Sequence, residues 1–569
     1  MKIGPVPLLL WASMAAAEPQ LILHHGKIVT VDAKFTVAEA IAIAGDRIVA
    51  VGTDDQVLGL RGPGTKLIDL KGRMVLPGLI DSHMHPTDAA MFEFDHPVPD
   101  MQSIQDVLDY VKARAKAVGE GKWVSVHQVF ITRLREQRYP TRAELDHAAP
   151  NNPVIFATGP DASISTLAMK ISGIDRNFKV SDGGPGYIEK DAAGEPTGIL
   201  RGCTRYVKEQ ESGRKPTEED YQRKVLELFR DYNSVGLTSI ADRAASASST
   251  DRFRKMRDAG KLTVRLSVQQ HIGTIGPMDQ ILDRIRVVAR NPLRADDPML
   301  RIVGVKVFLD GGMLTGSAYM RQPWGVSSIY AITDPQYRGV LLIPKERLLP
   351  LVRTAIENNL QFNAHTVGDG AVHTLLEAYE EVNKSIKVKD TRPCIAHSNF
   401  MSKEAVEMLV KLGVVVDIQP AWLYLDTRTL VKQFGYDRLR YFQPLRSIFE
   451  AGAIAGGGSD HMQKIGSLRS INPYNPFLGM WTTITRKARW YDGQLHPEEA
   501  LSREQAIRFY TMNNAYILFR EHQVGSLEAG KLADLIVVDR DLLECDVDQI
   551  KDTRVLATYL GGKRVFGED

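Results

Sequence analysis

Residues 76–86 read LPGLIDSHMHP, a short apolar run that ends in His83 and His85 with Met84 between them. Successive strand residues point to opposite faces, so on a strand both imidazoles can face one site while Met84 points away. Neutral imidazoles with this spacing suit zinc. Histidine pairs also arise by chance in a chain with 14 histidines, and a structural pair is the competing interpretation. The position after an apolar strand favours a metal site.

Seven further segments are short apolar runs like the first. Helical stretches such as 104–118, 218–236 and 402–413 lie between the segments. This alternation is typical of parallel βα units. Eight such units close a TIM (β/α)8 barrel, in which catalytic residues lie at the carboxyl ends of the strands. The predicted strands are LPGLIDSHMH (76–85), LTSIAD (237–242), TVRLSVQQ (263–270), RIVGVKVFLD (301–310), LQFNAHTV (360–367), PCIAHSNF (393–400), VVVDIQP (414–420) and AIAGGGSD (453–460).

The two ends of the chain consist of short β-like segments separated by Gly and Asp turns. They lie at 21–32, 38–52 and 65–78, and again at 525–543 and 555–567, so the two ends can pair in one sheet. Inside the barrel region, the stretch from about 87 to 236 exceeds a normal strand-to-helix connection. We therefore predict an inserted subdomain over the barrel mouth, with a hairpin at 185–200.

The overall composition is that of a globular protein, with 44% apolar and 25% charged residues among 569. A net charge of +2 gives no broad field for nucleic acid or anionic lipid, so we expect a small-molecule substrate. The three cysteines are far apart and predict neither a disulfide framework nor a zinc cluster. The sequence leaves open whether the protein is a homo-oligomer.

Residues 1–17 resemble a secretory signal peptide, with Lys2 before a short apolar run and small residues at Ala15–Ala17. This predicts a secreted or periplasmic protein that has no membrane association once the leader is removed. Pro5 and Pro7 interrupt the apolar run, so the alternative is an uncleaved leader on a cytoplasmic enzyme.

Three more candidate ligands end predicted strands. His365 (NAHTVGDGA) and His397 (CIAHSNF) are 32 residues apart, which matches one βα step. Asp460 ends the last strand after three glycines, which let the backbone run close to a metal or substrate. The competing interpretations are structural histidines and an Asp that caps the next helix. As a functional residue, Asp460 could bind a metal and also accept a proton from the attacking water.

Lys306 lies inside the predicted strand RIVGVKVFLD, between two valines. A buried ammonium is costly, so this lysine should be neutralised or paired. One interpretation is an ion pair with Asp310 or another acid. The other is a neutral amine that has captured carbon dioxide as a carbamate, which would give a carboxylate-like bridge between two metal ions.

The ligand pattern resembles the amidohydrolase superfamily: HxH after strand one, Lys after four, His after five and six, and Asp after eight. GLIDSHMH, VKVFLDGG, AHTVGDGA, GSD and the terminal VGSLEAGKLADLIVVD are similar to its amidohydrolase-3 branch, which includes YtcJ-like and N-substituted formamide deformylase-like proteins. The resemblance implies a TIM barrel domain at 79–523 and a split β-sandwich from 18–78 and 524–569. It also implies two zinc ions, one held by His83, His85 and Asp460, the other by His365 and His397, with carboxylated Lys306 bridging them.

Two departures from the branch concern the site. Ala396 replaces a common Glu before His397, and His461-Met462 replaces a small residue and Pro after Asp460. These neighbours are expected to shape the pocket, so the resemblance does not identify the substrate.

We expect metal-assisted hydrolysis of an amide-type, non-peptide C–N bond, in which paired metals lower the pKa of a bridging water. Asp460 would then transfer the proton to the leaving nitrogen. One alternative is a mononuclear deaminase-like enzyme in which Lys306 is an ordinary lysine and His397 assists the substrate. Another is a binding protein on the same scaffold without turnover, against which the complete ligand set argues.

Overall fold

The computed structural model describes residues 18–210 and 212–568, so the predicted leader at 1–17 lies outside the described residues. None of the helices within those two ranges is long and apolar enough to cross a membrane. The described residues begin with seven short strands and one helix, which are β1 (Leu21–His24), β2 (Lys27–Val29), β3 (Val37–Ala38), β4 (Ala40–Ala44), β5 (Arg47–Gly52), α1 (Asp54–Leu58), β6 (Lys66–Asp69) and β7 (Met74–Pro77).

The first barrel strand and the insertion come next. They comprise β8 (Leu79–Met84), α2 (Pro86–Met91), α3 (Ile104–Val118), β9 (Val124–His127), α4 (Arg142–Ala148), β10 (Val154–Thr158), β11 (Asp161–Ile164), α5 (Thr166–Ser172), β12 (Tyr187–Lys190), β13 (Pro196–Arg201) and α6 (Glu218–Ser234). The insertion forms its own five-stranded sheet in the order β12-β13-β11-β10-β9. Its β12–β13 hairpin is antiparallel and lies where the sequence predicts one.

The rest of the barrel alternates strands and helices. These are β14 (Leu237–Ala245), α7 (Ala247–Asp258), β15 (Arg265–His271), α8 (Met278–Ala289), β16 (Leu300–Phe308), α9 (Lys345–Glu357), β17 (Gln361–Thr366), α10 (Asp369–Asn383), β18 (Cys394–His397), α11 (Lys403–Leu412), β19 (Val415–Ile418), α12 (Pro420–Phe434), α13 (Leu445–Glu450), β20 (Ala455–Gly457), α14 (Pro476–Thr485), α15 (Arg503–Phe509) and α16 (Met512–Ile517). Three strands follow: β21 (Leu535–Val538), β22 (Val555–Leu560) and β23 (Lys563–Phe566).

Eight parallel strands form the predicted barrel, in the order β8-β14-β15-β16-β17-β18-β19-β20. Just beyond β20, the backbone N–H of Asp460 donates to the His83 carbonyl at 2.8 Å, and the His85 N–H donates to the His461 carbonyl at 2.8 Å. These bonds join the last strand to the first, so the sheet closes. The TIM barrel predicted from the sequence is confirmed.

The two chain ends build a pair of sheets beside the barrel. A four-stranded sheet has the order β5-β4-β1-β6, and a six-stranded sheet has the order β23-β22-β21-β7-β2-β3. In the second sheet, β21 from the C-terminal end pairs antiparallel with β7 from the N-terminal end. Apolar side chains from both ends pack in one core that includes Leu23, Ile41, Val75, Leu535 and Tyr559. The chain ends therefore form a β-sandwich, as the resemblance implied.

Candidate metal centre

The first three candidate ligands meet where the barrel closes. His85 Nε2 lies 3.2 Å from Asp460 Oδ1, and His83 Nε2 lies 3.6 Å from the same oxygen. One ligand atom from each of these side chains lies within 4.8 Å of the others. His83 and Asp460 are buried, whereas His85 is partly open to the barrel mouth. The strand alternation predicted for 83–85 thus brings both imidazoles to the same carboxylate.

The backbone around these ligands is tightly constrained. A Cβ at Gly458 would lie 2.8 Å from the Cβ of His83, so the last strand needs a glycine there to approach the first. Asp460 has φ 55° and His397 has φ 78°, a left-handed conformation that is uncommon for residues other than glycine. Backbone strain of this kind persists only where the surrounding structure holds it in place, and it is characteristic of functional sites.

His365 and His397 extend the cluster along the barrel rim. Their ring centroids are 4.5 Å apart, and the His397 ring is 4.6 Å from the His83 ring. The buried Nε2 of His365 has no hydrogen-bond partner among the described residues. Burial lowers the pKa of His365 to about 3 and also lowers the pKa of His83 and His397. All three imidazoles are therefore neutral, which is the form that binds a metal.

Lys306 points into the same cluster from β16. It is 1% exposed, and its Nζ has no hydrogen-bond partner within the described part of the chain. Burial lowers the pKa of Lys306 to about 8, which brings the neutral amine within reach near neutral pH. Asp310 is already engaged, because it accepts backbone N–H groups of Tyr319, Val367 and Gly368 at 2.9 Å each. The geometry disfavours the Lys306–Asp310 ion pair that the sequence left open.

These atoms fit a metal centre. Two imidazoles and a carboxylate form one compact group, while the His365 Nε2 and the Lys306 Nζ, which line the same cavity, are buried without a hydrogen-bond partner among the described residues. Buried polar atoms are almost always satisfied, so unpaired ones that line the same cavity are consistent with a bound metal. The six candidate residues named from the sequence are His83, His85, Lys306, His365, His397 and Asp460, and all line one cavity.

A polar network behind the histidines fixes their orientation. The His83 Nδ1–H donates to Asp417 at 2.8 Å, and the His397 Nδ1–H donates to Gln419 Oε1 at 2.7 Å. The Gln419 amide in turn donates to Asp417 at 3.1 Å, and the Arg243 guanidinium lies 3.1 Å from the second Asp417 oxygen. This leaves each Nε2 free to face the centre, which is the usual arrangement of metal-ligating histidines.

Asp417, Gln419 and Arg243 were not predicted from the sequence to support the site. The sequence did contain an indication of their role, because Asp417 and Gln419 are two residues apart in an otherwise apolar strand. Such alternation places both side chains on one face, and a buried carboxylate requires a partner.

A cavity of about 460 Å³ opens beside the six candidate ligands. The insertion contributes Phe130 and residues 158–160, and the loop between β16 and α9 contributes residues 312–315. Lys306 is the only lysine or arginine among the lining residues. The large apolar side chains that line it are Phe130, Phe308, Met313, Leu314, Leu342, Trp422 and Met462.

Two further residues near strand ends, His461 and Trp422, have structural roles. His461 accepts a hydrogen bond from Tyr232 at Nδ1 and contacts the carbonyls of Gln463 and Lys464 through Nε2, each at 2.8 Å. It therefore fixes the loop after Asp460, and its neighbour Met462 lines the cavity. Trp422 stacks on the His397 ring, with centroids 4.8 Å apart.

Comparison with known proteins agrees with this geometry. The profile of the amidohydrolase family matches residues 66–566. N-substituted formamide deformylase from Arthrobacter pascens is 30% identical, over 95% of this chain and 97% of its own length. An uncharacterized metal-dependent hydrolase from Pyrococcus horikoshii has the same fold, with a TM-score of 0.65 at 20% identity, covering 93% of this chain and 99% of that one. Atrazine chlorohydrolase from Arthrobacter aurescens, solved in complex with zinc, has a TM-score of 0.52 at 16% identity and covers 96% and 95%.

The family match spans most of the chain and includes every candidate ligand, so the resemblance drawn from the sequence is confirmed. The chain belongs to the amidohydrolase family, and it is a hydrolase of carbon–nitrogen bonds other than peptide bonds.

Proposed function

We propose that this protein hydrolyses the amide-type C–N bond of a small, uncharged substrate with an apolar substituent, at a two-zinc centre. The observation that carries the proposal is an apolar cavity whose lining includes the buried nitrogen atoms of Lys306 and His365, which have no hydrogen-bond partner among the described residues. The similarity to N-substituted formamide deformylase supports an N-substituted amide as the substrate.

His83, His85 and Asp460 would hold one zinc ion, and His365 and His397 the other. Lys306 Nζ would carry a carbamate, formed from the neutral amine and carbon dioxide with loss of a proton, as the bridge. When bound, zinc supplies an acidified water as nucleophile and polarises the substrate carbonyl.

The protein's own residues supply orientation and proton transfer. Burial raises the pKa of Asp460, which favours this carboxylate as a group that takes a proton from the nucleophile and gives it to the leaving nitrogen. Asp417 and Gln419 hold His83 and His397 in the tautomer with a free Nε2.

The cavity walls set the substrate class. Trp422 covers His397, and Phe130 and Leu314 give apolar surface for a substituent. A carboxylate or phosphate on the substrate would find no lining cation except Lys306, which is itself assigned to the centre. Desolvating an unpaired anion is costly, so we expect the site to discriminate against substrates with an anionic substituent.

A substrate panel tests this proposal. Zinc-loaded protein should hydrolyse N-phenylalkyl and N-cyclohexyl formamides and acetamides, with kcat/KM at least about tenfold higher than for the same amides that bear a carboxylate. The Asp460→Asn variant should be inactive on the whole panel, which controls for contaminating hydrolases. Absence of turnover across the panel, or a preference for the carboxylates, would contradict the proposal.

The Lys306→Ala variant tests whether the barrel binds two zinc ions or one. We expect Lys306→Ala to lose bound zinc and at least about 100-fold in kcat, with partial rescue by acetate or propionate, because a carboxylate can replace the carbamate. Metal analysis and rescue kinetics measure this. Lys464→Met is the matched control, because Lys464 is buried but paired with Asp100. Acetate or propionate should not rescue the activity of this variant. One zinc at the barrel and near-normal activity of Lys306→Ala would instead support the mononuclear deaminase-like enzyme.

A further inference from the structure

A second group of metal-ligating side chains lies on the β-sandwich, and its members do not line the catalytic cavity. It consists of His24, His25 and Asp69. We propose that this cluster is a peripheral site for a divalent transition-metal ion such as zinc, independent of the hydrolytic centre.

The fold brings the three side chains together in two ways. In the parallel pairing of β1 with β6, His24 lies opposite Asp69. His25 follows directly, and a residue that continued the strand would point to the opposite face. Instead His25 has φ 51°, a left-handed conformation, and its ring centroid lies 4.6 Å from that of His24. The break in the strand therefore places both imidazoles on the same side.

The distances fit a tetrahedral site. The Nδ1 atoms of His24 and His25 are 3.1 Å apart, and His25 Nδ1 is 3.5 Å from Asp69 Oδ1. Zinc binds nitrogen and oxygen at about 2.0–2.1 Å, so neighbouring tetrahedral ligands are about 3.3–3.4 Å apart. The observed edges lie on either side of that value, and the remaining position would be open to water.

His25 also has the outer carboxylate that ligating histidines characteristically have. Its second ring nitrogen, Nε2, lies 3.7 Å from Asp54 Oδ2. Asp54 is itself held in place, because its other oxygen accepts the backbone N–H of His25 at 2.8 Å. The 3.7 Å separation is wider than the 2.8 Å between His83 Nδ1 and Asp417 in the barrel, so Asp54 faces the His25 ring without a direct hydrogen bond. A hydrogen bond between the two imidazoles is the alternative explanation of their short separation, but it does not require either carboxylate.

An ion here would crosslink β6, an edge strand of the four-stranded sheet, to β1 and to the turn after it. A ligand that binds only the folded chain stabilises it by mass action. Zinc should therefore raise the thermal stability of the β-sandwich even when the barrel centre is already saturated.

The experiment counts zinc in the full-length protein after chelation, reloading and dialysis. His25→Ala should bind one equivalent less than the wild type, with unchanged kcat/KM, and should lose the zinc-dependent rise in melting temperature. His522→Ala is the matched control, since this histidine is 92% exposed and lies outside the cluster. Asp69→Asn provides a second variant if His25→Ala fails to fold, which circular dichroism detects.

Equal zinc content in the wild type, both cluster variants and the control would overturn this proposal. The hydrolytic proposal would be unaffected, because it is measured by turnover and by the zinc that Lys306→Ala loses. The two proposals can therefore fail separately.

Discussion

Asp417 connects the metal centre to a buried arginine, although its side chain is no candidate ligand. Replacing it with Asn keeps the shape but removes the negative charge that faces both the His83 Nδ1–H and the Arg243 guanidinium. Loss of an outer carboxylate typically costs 10–100-fold in metal affinity. We therefore expect Asp417→Asn to weaken zinc binding by about that factor, measured by competition with a chelator, and to lower the melting temperature.

The Asp426→Asn variant is the control that separates an effect on zinc affinity from a loss of stability. Asp426 is also fully buried and pairs with Arg133 at 2.8 Å, but it does not line the catalytic cavity. Both variants should melt at lower temperature, because each leaves a buried guanidinium without its partner. Equal zinc affinity in the two variants would show that Asp417 has only a structural role.

Single residues were predictable where their position along a strand was enough. The close approach of His83, His85 and Asp460 could be predicted because each ends a short apolar run, and strand alternation gives their direction. The roles of Asp417 and Gln419 depend on which strand lies beside which histidine. That information is in the register of neighbouring strands, which no local pattern contains.

At the scale of elements, all eight predicted strands are found, because each is a short apolar run between polar turns. Their ends are less predictable. The sixth stops at His397, where φ is 78°, and the first starts only after Gly78, whose Cβ would lie 2.1 Å from Thr238 Oγ1. The glycines before Asp460 were expected to approach a metal or substrate, whereas Gly456 and Gly457 lie against Asn514 and Phe509. Helix-to-strand packing of this kind is not visible in the sequence.

Arg201 is one of the residues that fasten the insertion to the loop between β16 and α9, together with Tyr139 and Asp161. Arg201 ends β13 and is fully buried, and its guanidinium donates to the Thr315 carbonyl at 2.5 Å and to the Tyr330 carbonyl. Thr315 lines the catalytic cavity. Arg201→Met keeps much of the volume but removes these donors, so the cavity wall is held less firmly, with the Tyr139 hydroxyl still donating to the Thr315 carbonyl at 3.0 Å. We expect KM to rise about tenfold with a smaller change in kcat, since a misplaced wall weakens binding more than it alters the metal ligands.

The control for this variant is Arg205→Met. Arg205 is in the same subdomain, but its partner Asp182 is partly exposed, and such surface pairs contribute little. It should leave KM unchanged. Limited proteolysis gives a second readout, because Arg201→Met alone should expose the loop between β16 and α9 to cleavage. Identical KM values for both variants and the wild type would refute the anchoring role.

For the whole molecule, the β-sandwich and the barrel share buried polar contacts. Arg265, the first residue of β15, makes two hydrogen bonds to Asp534 at 2.6 and 2.7 Å, just before β21. The other groups around Asp534 come from the sandwich: it accepts the backbone N–H of Gly561 at 2.8 Å, and its carbonyl accepts the N–H of Gly78 at 2.9 Å. Asp534 thus ties the barrel to both ends of the chain, through its carboxylate to Arg265 and Gly561 and through its backbone carbonyl to Gly78.

Asp534→Ala should destabilise the protein without changing its chemistry. Removing one partner of a buried ion pair typically costs about 3–5 kcal/mol, because the other charge stays buried and unpaired. Glu544→Ala is the matched control, since Glu544 also joins the chain ends, through Lys27, but is 77% exposed and should contribute about 0–1 kcal/mol. Urea unfolding followed by tryptophan fluorescence measures the difference, and kcat/KM of the zinc-loaded variants should equal that of the wild type. Equal unfolding midpoints for the two variants would mean that the sandwich is not coupled to the barrel through Asp534.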